Sequence, residues 1–175
     1  MKILKIVFAV VAAGQLAIPG TMIHERELTL REGRAYKFHT QPVDPYDAFR
    51  GRYVALALEP NTVPGTNFEA GTVVYVTLAE GADGFVQFTG ASRERPAEQD
   101  YLKVKTGWSN SVRLPFDRFY MEEKAAPAAE RAYREHSQQA GTRDAYVVVR
   151  VRDGMGVIEN LYVAGKPMAE FVRAH

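Results

Sequence analysis

Residues 6–23 read IVFAVVAAGQLAIPGTMI, and this uncharged run sets the architecture expected of the chain. As a helix the run would extend for about 27 Å, close to the thickness of the hydrocarbon core of a bilayer. Pro19 lies near its far end, where a membrane helix tolerates proline because the freed backbone groups can be satisfied locally. We therefore predict that residues 1–24 form a short cytoplasmic stub and a transmembrane signal anchor.

Two alternatives explain the run less well. A soluble helix this close to the terminus should show a polar face, and this run shows none. A cleaved signal peptide needs small residues at the third and first positions before the cut. Ala12 and Gly14 satisfy that rule but leave an apolar region of only residues 6–11, and Ile18 and Pro19 disfavour cleavage near the far end. The anchor is the preferred interpretation.

The flanking charges predict the orientation of the anchor. Lys2 and Lys5 precede the apolar run, and basic flanks stay in the cytoplasm. The N-terminus is therefore expected on the cytoplasmic side of the inner membrane. Residues 25–175 are expected to form one domain on the periplasmic or extracellular side.

That domain shows the period-two alternation of residue types that indicates half-buried strands. The strand-like segments are residues 28–30, 36–40, 52–58, 72–79, 85–89, 101–105, 112–116, 145–152 and 157–163. Residues 126–139 predict one helix, with Pro127 near the first turn and Gly141 just after the end. The predicted fold is mostly β (α+β): a single N-terminal transmembrane helix, then one antiparallel β-rich domain with one surface helix.

Composition excludes several classes of function. The net charge is +1 and no block of like charge occurs, whereas nucleic-acid binding requires a basic stripe to neutralise phosphates. The chain contains no cysteine, which excludes disulfides, thiolate catalysis and thiolate-bound zinc. The four histidines, His24, His39, His136 and His175, are not spaced as paired metal ligands. No metal site and no cofactor is predicted.

Nucleophilic catalysis finds little support in the residue pattern. Signal peptidases are similar in that a β-rich domain follows an N-terminal membrane helix. They use a serine and lysine pair, and the serine lies soon after that helix. Here residues 24–91 contain no serine, and the later serines lie in polar loop or helix contexts at Ser92, Ser109, Ser111 and Ser137. Because the similarity is one of architecture alone, no catalytic residue is assigned.

Two segments are candidates for binding. Residues 41–46 (QPVDPY) predict a turn, where Asp44 and nearby Asp47 could bind a cation but more often cap the turn. Residues 116–120 (FDRFY) are dense in aromatic side chains, which together with arginine favour the centres of interfaces. The same segment also suits an aromatic core strand from which Arg118 points outward.

Residues 50–58 (RGRYVALAL) resemble the motif that gives the GDYXXLXY family its name. Gly51, Tyr53 and Leu56 match the motif, while Arg52 replaces its aspartate and Leu58 its last tyrosine. The resemblance therefore carries no role of that aspartate to this chain. Further family features follow in order from residue 1 to residue 167: the membrane helix, an Asp-Pro turn at 43–45, an Arg-aromatic-acid stretch at 118–122 and a glycine-turn hairpin at 153–166.

The resemblance implies a bacterial, membrane-anchored protein that lies alongside multi-pass membrane proteins. The binding candidates are Asp44, Arg50, Gly51, Tyr53, Arg118, Tyr120 and Glu122. We predict a binding or scaffold module that associates with an integral membrane protein and contacts lipid through residues 6–23. The alternatives are a membrane-tethered, peptidase-like hydrolase using a Ser/Lys or acid pair, and an envelope ligand sensor with an apolar pocket lined by Trp108 or Tyr120.

Overall fold

A computed structural model of the chain describes residues 2–41, 53–65, 68–122, 125–137 and 144–174. Its helices are α1 (Lys2–Glu32), α2 (Ala126–Ser137) and α3 (Met168–Ala174). Its strands are β1 (Arg34–Gln41), β2 (Tyr53–Ala55), β3 (Ala57–Glu59), β4 (Val73–Glu80), β5 (Val86–Ser92), β6 (Tyr101–Thr106), β7 (Val112–Arg113), β8 (Arg118–Tyr120), β9 (Tyr146–Arg152), β10 (Met155–Val163) and β11 (Lys166–Pro167).

The strands form three sheets, and their named pairings are antiparallel, which confirms the predicted fold class. The largest sheet has the order β11-β10-β9-β1-β3, and the second has the order β5-β4-β6-β7. A two-stranded ribbon joins β2 to β8. Strand β4 pairs with β5, and β9 pairs with β10, each as an antiparallel hairpin.

The core fills the space between the two larger sheets. Strands β4 and β9 contribute alternate side chains to it, as their burial patterns show. Phe38 of β1 is fully buried and meets the rings of Phe88 and Phe116 edge to face, at centroid distances of 6.5 and 5.5 Å. Edge-to-face contacts add stability beyond the area they bury, so Phe38 ties β1 to β5 and to the loop before β8.

Helix α1 is longer than the apolar run and continues without interruption into the domain. Residues 28–30, which the alternation predicts as a strand, are helical, so that prediction is wrong. Three residues are too few to separate a period of 2 from a period of 3.6. Thr29 is buried in a helix that packs on β9 and β10, and its hydroxyl donates to the carbonyl of Glu25 at 2.9 Å. The predicted boundary between residues 24 and 25 lies inside this helix.

The domain does not cover the N-terminal part of α1. It is long and apolar enough to cross a membrane, by length and composition. Its large apolar side chains are exposed, namely Ile3, Leu4, Ile6, Val7, Phe8, Val10, Val11, Leu16, Ile18, Met22 and Ile23. An exposed apolar surface of this extent marks a contact with another apolar phase or partner.

Two further predictions need correction. Residues 52–58, which the alternation predicts as one strand, form two short strands. β2 pairs with β8 whereas β3 pairs with β1, and the chain changes sheet at Leu56. The Leu56 amide donates to the carbonyl of Asp117 at 2.9 Å, which holds the change of direction in place. The domain also carries a second helix, α3, which packs on α2 and β10.

Candidate functional site

The β2–β8 ribbon brings together three of the predicted binding residues. Tyr53 is the cross-strand partner of Tyr120, and Ala55 is the partner of Arg118. The two tyrosine rings lie 5.7 Å apart between centroids at a tilt of 58°. The Arg118 guanidinium lies over the Tyr53 ring, 5.0 Å from its centroid. The three side chains thus form one cluster of a cation and two phenols, which we call the ribbon cluster.

Arg118 is a permanent cation that its surroundings leave available. A hydrogen bond with Tyr120 raises its pKa above the ordinary value, and Tyr53 and Asp117 add to the effect. The Asp117 carboxylate is 3.5 Å from the Arg118 Nε, and both side chains are largely exposed, so this ion pair is weak. Because Tyr120 is also 66% exposed, the cluster presents a planar cation and an aromatic ring to a ligand.

A groove of about 440 Å³ runs from this cluster to helix α1. One wall is residues 115–120, the second is residues 156–159 of β10, and Arg26 of α1 contributes a third side. We call it the helix groove. Its position follows from packing, since α1 lies against β9 and β10. Sequence reasoning missed Arg26 and residues 156–159, because no local pattern shows that β10 and β8 face one another.

The floor of the helix groove requires a glycine. A Cβ atom at Gly156 would lie 2.3 Å from Cε1 of Phe116 and 3.0 Å from Cδ2 of Leu102. Phe116 is buried and packs on Phe38, so its ring occupies the space above the Gly156 backbone. The close approach of β10 to this ring therefore depends on the absence of a side chain at residue 156.

One arginine connects the groove wall to the end of α1. The register of β10 shifts between Ile158 and Asn160, which leaves Glu159 as an extra, exposed residue. Arg150 of β9 donates from Nε and Nη2 to the Glu159 carboxylate at 2.6 and 3.1 Å, and from Nη1 to the carbonyl of Gly33 at 3.2 Å. The bond to Glu159 raises the pKa of Arg150. Arg150 thus links the bulge of β10 to the point where α1 joins β1.

The remaining binding candidates do not join the cluster. Asp44, Arg50 and Gly51 lie outside the described residues. Glu122 is described and exposed, but its backbone carbonyl accepts from the amides of Ala125 and Ala126 at the start of α2. Its place at the entry to that helix explains its position in the chain, and it does not line the helix groove.

Three serines of the described segments either make local hydrogen bonds or are buried without a partner. The Ser111 hydroxyl donates to the Trp108 carbonyl at 2.7 Å, and the Ser92 hydroxyl accepts from the Glu94 amide at 3.0 Å. The buried Ser137 hydroxyl has no hydrogen-bond partner. The hydrolase interpretation, which requires a serine beside a lysine or two paired acids, gains no support from these residues and stays a prediction.

The described residues hold no cluster of metal ligands, and one of the two proposed pocket aromatics lies at a groove. Across the described part of the chain, no three His, Asp or Glu side chains are grouped as metal ligands. Trp108 is 85% exposed and lines none of the described cavities, so of the two aromatic residues proposed for a sensor pocket only Tyr120 lies at a groove. The helix groove offers a cation, aromatic rings and backbone groups to a ligand or segment lying in it.

Comparison with known proteins adds one finding. A family model described as GDYXXLXY protein matches residues 15–161, which covers most of α1, the ribbon cluster and the helix groove. Neither the curated proteins nor the solved structures contain a match to the chain.

Proposed function

This chain belongs to the GDYXXLXY family, and we propose that it is a membrane-anchored, extracytoplasmic binding module for an integral membrane protein. Residues 6–23 anchor it in the cytoplasmic (inner) membrane, with Lys2 and Lys5 on the inner side. The exposed apolar side chains of α1 support the anchor, because water disfavours an uncovered surface of that size. The domain after the anchor then lies on the periplasmic or extracellular side.

The observation that carries the proposal is the place of Arg26 in the helix groove. Arg26 follows Ile23, the last residue of the apolar run, by three positions on a continuous helix, an axial rise of about 4.5 Å. A groove lined by that residue lies close to the outer surface of the bilayer. A segment bound there has to come from a molecule at the membrane surface, and a loop of an integral membrane protein meets that condition.

The chemistry of the groove also favours a protein segment. Arginine and tyrosine are enriched among the residues that contribute most to binding at protein interfaces. Arg118 and Tyr120 are both exposed at the groove, and Arg118 is held in orientation by the ring of Tyr53. A guanidinium held over a ring in this way offers donors suited to carboxylates and backbone carbonyls of a partner loop.

Anchoring and orientation can be tested separately from binding. Because the native chain contains no cysteine, single cysteines at Lys2 and at Trp108 allow site-specific labelling. We expect a membrane-impermeant maleimide to label Trp108→Cys in intact spheroplasts and Lys2→Cys after lysis alone. We also expect the full chain to stay in the membrane pellet after carbonate extraction. Release of the chain into the carbonate supernatant, or the reverse labelling pattern, would refute the proposed topology.

Binding can be tested by photo-cross-linking in cells at native expression. A photoreactive amino acid at Tyr120 should give an adduct with an integral membrane protein, because this side chain is exposed at the groove. The matched control is Gln87, an exposed residue of β5 that lines no described cavity. Equal adducts at both positions, or a chain that gives no adduct and sediments as a lone monomer, would count against the proposal.

Variants of Arg118 sharpen that test. Arg118→Ala should reduce the adduct at residue 120 by about tenfold or more, as expected when an arginine at an interface centre is removed. Arg118→Lys keeps the charge but loses the guanidinium that lies over Tyr53, so we expect an intermediate yield. An adduct unchanged in Arg118→Ala would show that the ribbon cluster does not bind the partner.

A further inference from the structure

The exposed side of the second sheet carries three cations on neighbouring strands. Lys103 and Lys105 are exposed on β6, between buried residues that face the core. Arg113 of β7 is exposed as well, and its Cα is paired with that of Lys105 across the ladder. Residues two apart on a strand project from the same face, about 6.6 Å apart along it. We call these three residues the basic face.

The cations of the basic face are not neutralised within the described chain. The ion pairs of the described residues include none with Lys103, Lys105 or Arg113. Like charges directly opposite each other on a ladder destabilise a sheet, and the Lys105–Arg113 pair is of that kind. Among the described residues, this positive charge therefore has no ion-pair partner, which suits an anionic ligand.

The basic face lies next to the point where α1 leaves the domain. Lys103 and Pro115 line a depression that also contains Met22 and Glu25 of α1. The same two residues line a second, adjoining depression of about 330 Å³ together with Val73, Lys105 and Arg113. Met22 is within the apolar run of the anchor. Lys103, the first cation of the basic face, thus lies beside the part of α1 that is proposed to reach the bilayer surface.

We propose that the basic face binds the phosphate groups of anionic phospholipids in the leaflet that α1 enters. This inference rests on the proposed membrane anchoring and adds a second attachment, which sets the tilt of the domain on the membrane. Charge complementarity selects the ligand, since cations near a membrane surface are attracted by anionic lipid. Val73 of β4 pairs with Lys105 and is 42% exposed, so it gives the face an apolar contact beside the headgroups. Two acids line the depression beside Lys103, namely Glu25 of α1 and Asp153. Asp153 is 2.7 Å from Arg95 and is therefore already paired.

The expected strength follows from the number of cations. Each lysine or arginine near an anionic surface strengthens the contact by about fivefold, so three together contribute about a hundredfold. Since α1 already holds the chain at the membrane, the effect appears as the fraction of molecules whose basic face touches lipid. That fraction should fall at high salt, because salt screens charges across a surface contact.

The test uses the full chain in nanodiscs, with one environment-sensitive fluorophore on an introduced cysteine. Val73→Cys reports on the basic face, and Gln87→Cys is the matched control. Gln87 pairs with Ala79 on the same sheet, six residues along β4 from Val73 and therefore about 20 Å away. Spin-labelled lipid in the bilayer quenches a fluorophore that touches the surface. Nanodiscs of phosphatidylcholine alone are compared with nanodiscs that also contain phosphatidylglycerol.

We expect quenching at residue 73 to be several-fold greater with phosphatidylglycerol and to return to the phosphatidylcholine level in the Lys103→Gln, Lys105→Gln, Arg113→Gln triple variant. The control label should respond equally in both lipids. Equal quenching at residue 73 in both lipids, with the chain normally incorporated, would overturn the lipid assignment alone. If quenching at residue 73 is equal in both lipids and the triple variant also loses the cross-linked partner adduct at Tyr120, the cations bind an acidic protein segment instead. Failure of the wild-type chain to enter nanodiscs would refute the anchoring itself.

Discussion

Replacing Gly33 with alanine should weaken the attachment of α1 to the sheet. Gly33 follows the last residue of α1 and precedes β1, and it is buried at the junction. A Cβ atom there would lie 2.4 Å from the carbonyl oxygen of Thr29 and 3.1 Å from the backbone nitrogen and oxygen of Val151. All three atoms belong to the backbone, so no side chain can rotate away. The helix end and β9 would have to separate.

These contacts set the free energy of unfolding that Gly33→Ala should lose. Relief of the clash requires a displacement of about 1 Å, and overpacking of this kind costs about 1–3 kcal/mol. The Thr29 carbonyl also accepts from the Gly33 amide at 2.9 Å, and the Gly33 carbonyl accepts from Arg150. Weakening one such bond adds about 1 kcal/mol. We therefore expect a loss of about 3 kcal/mol, which lowers the melting temperature by about 6–12 °C for a domain of this size.

The assay is thermal unfolding of the full chain in neutral detergent, followed by circular dichroism. Gly20→Ala is the matched control, since Gly20 lies in the same helix and an added Cβ would meet nothing within 4 Å. That variant should melt with the wild type or slightly above it, because alanine favours a helix more than glycine does. If Gly33→Ala melted together with Gly20→Ala, the close packing of α1 against β9 would be refuted.

Three further predictions test other contacts. Gly156→Ala should lower the free energy of unfolding by about 1–3 kcal/mol, because the new methyl group overlaps the Phe116 ring; urea unfolding measures this, and an unchanged midpoint would contradict it. Burial raises the pKa of Tyr133 to about 12, so its contribution to stability is complete below pH 10 and is lost as the pH rises towards 12. The free energy of unfolding of the wild type should therefore decline over this range, and Tyr133→Phe should remove roughly 3 kcal/mol of that decline. A variant whose free energy of unfolding declines as steeply as that of the wild type would refute the assignment. A double-mutant cycle of Arg150→Ala and Glu159→Ala should give a coupling of about 1 kcal/mol, the value for a well-aligned pair at a partly exposed site, and additive effects would show that the pair contributes nothing.

Local patterns identified much of the secondary structure. Strands β4, β5, β9 and β10 lie close to the predicted segments, because alternation along a strand reflects which face is buried. The same reasoning misplaced residues 28–30 and joined β2 to β3, since three-residue stretches carry little periodic information. The turn at Leu56 depends on a bond to Asp117, sixty-one positions away, which no local pattern records.

In the candidate site, too, the sequence indicates individual residues whereas the tertiary structure brings them together. Tyr53, Arg118 and Tyr120 were each candidates from the sequence, but their contact arises from the pairing of β2 with β8. Arg26, Gly156 and Glu159 became candidates once α1 and β10 were placed beside β8.

The uncharged run of residues 6–23 and the strand-forming segments follow from composition and spacing, since water and lipid act on each short stretch directly. The helix groove and the basic face arise where strands and helices distant in the chain meet. These contacts between distant elements depend on the packing of the whole core. The free energy that stabilises them is therefore shared among residues that no single stretch of sequence contains.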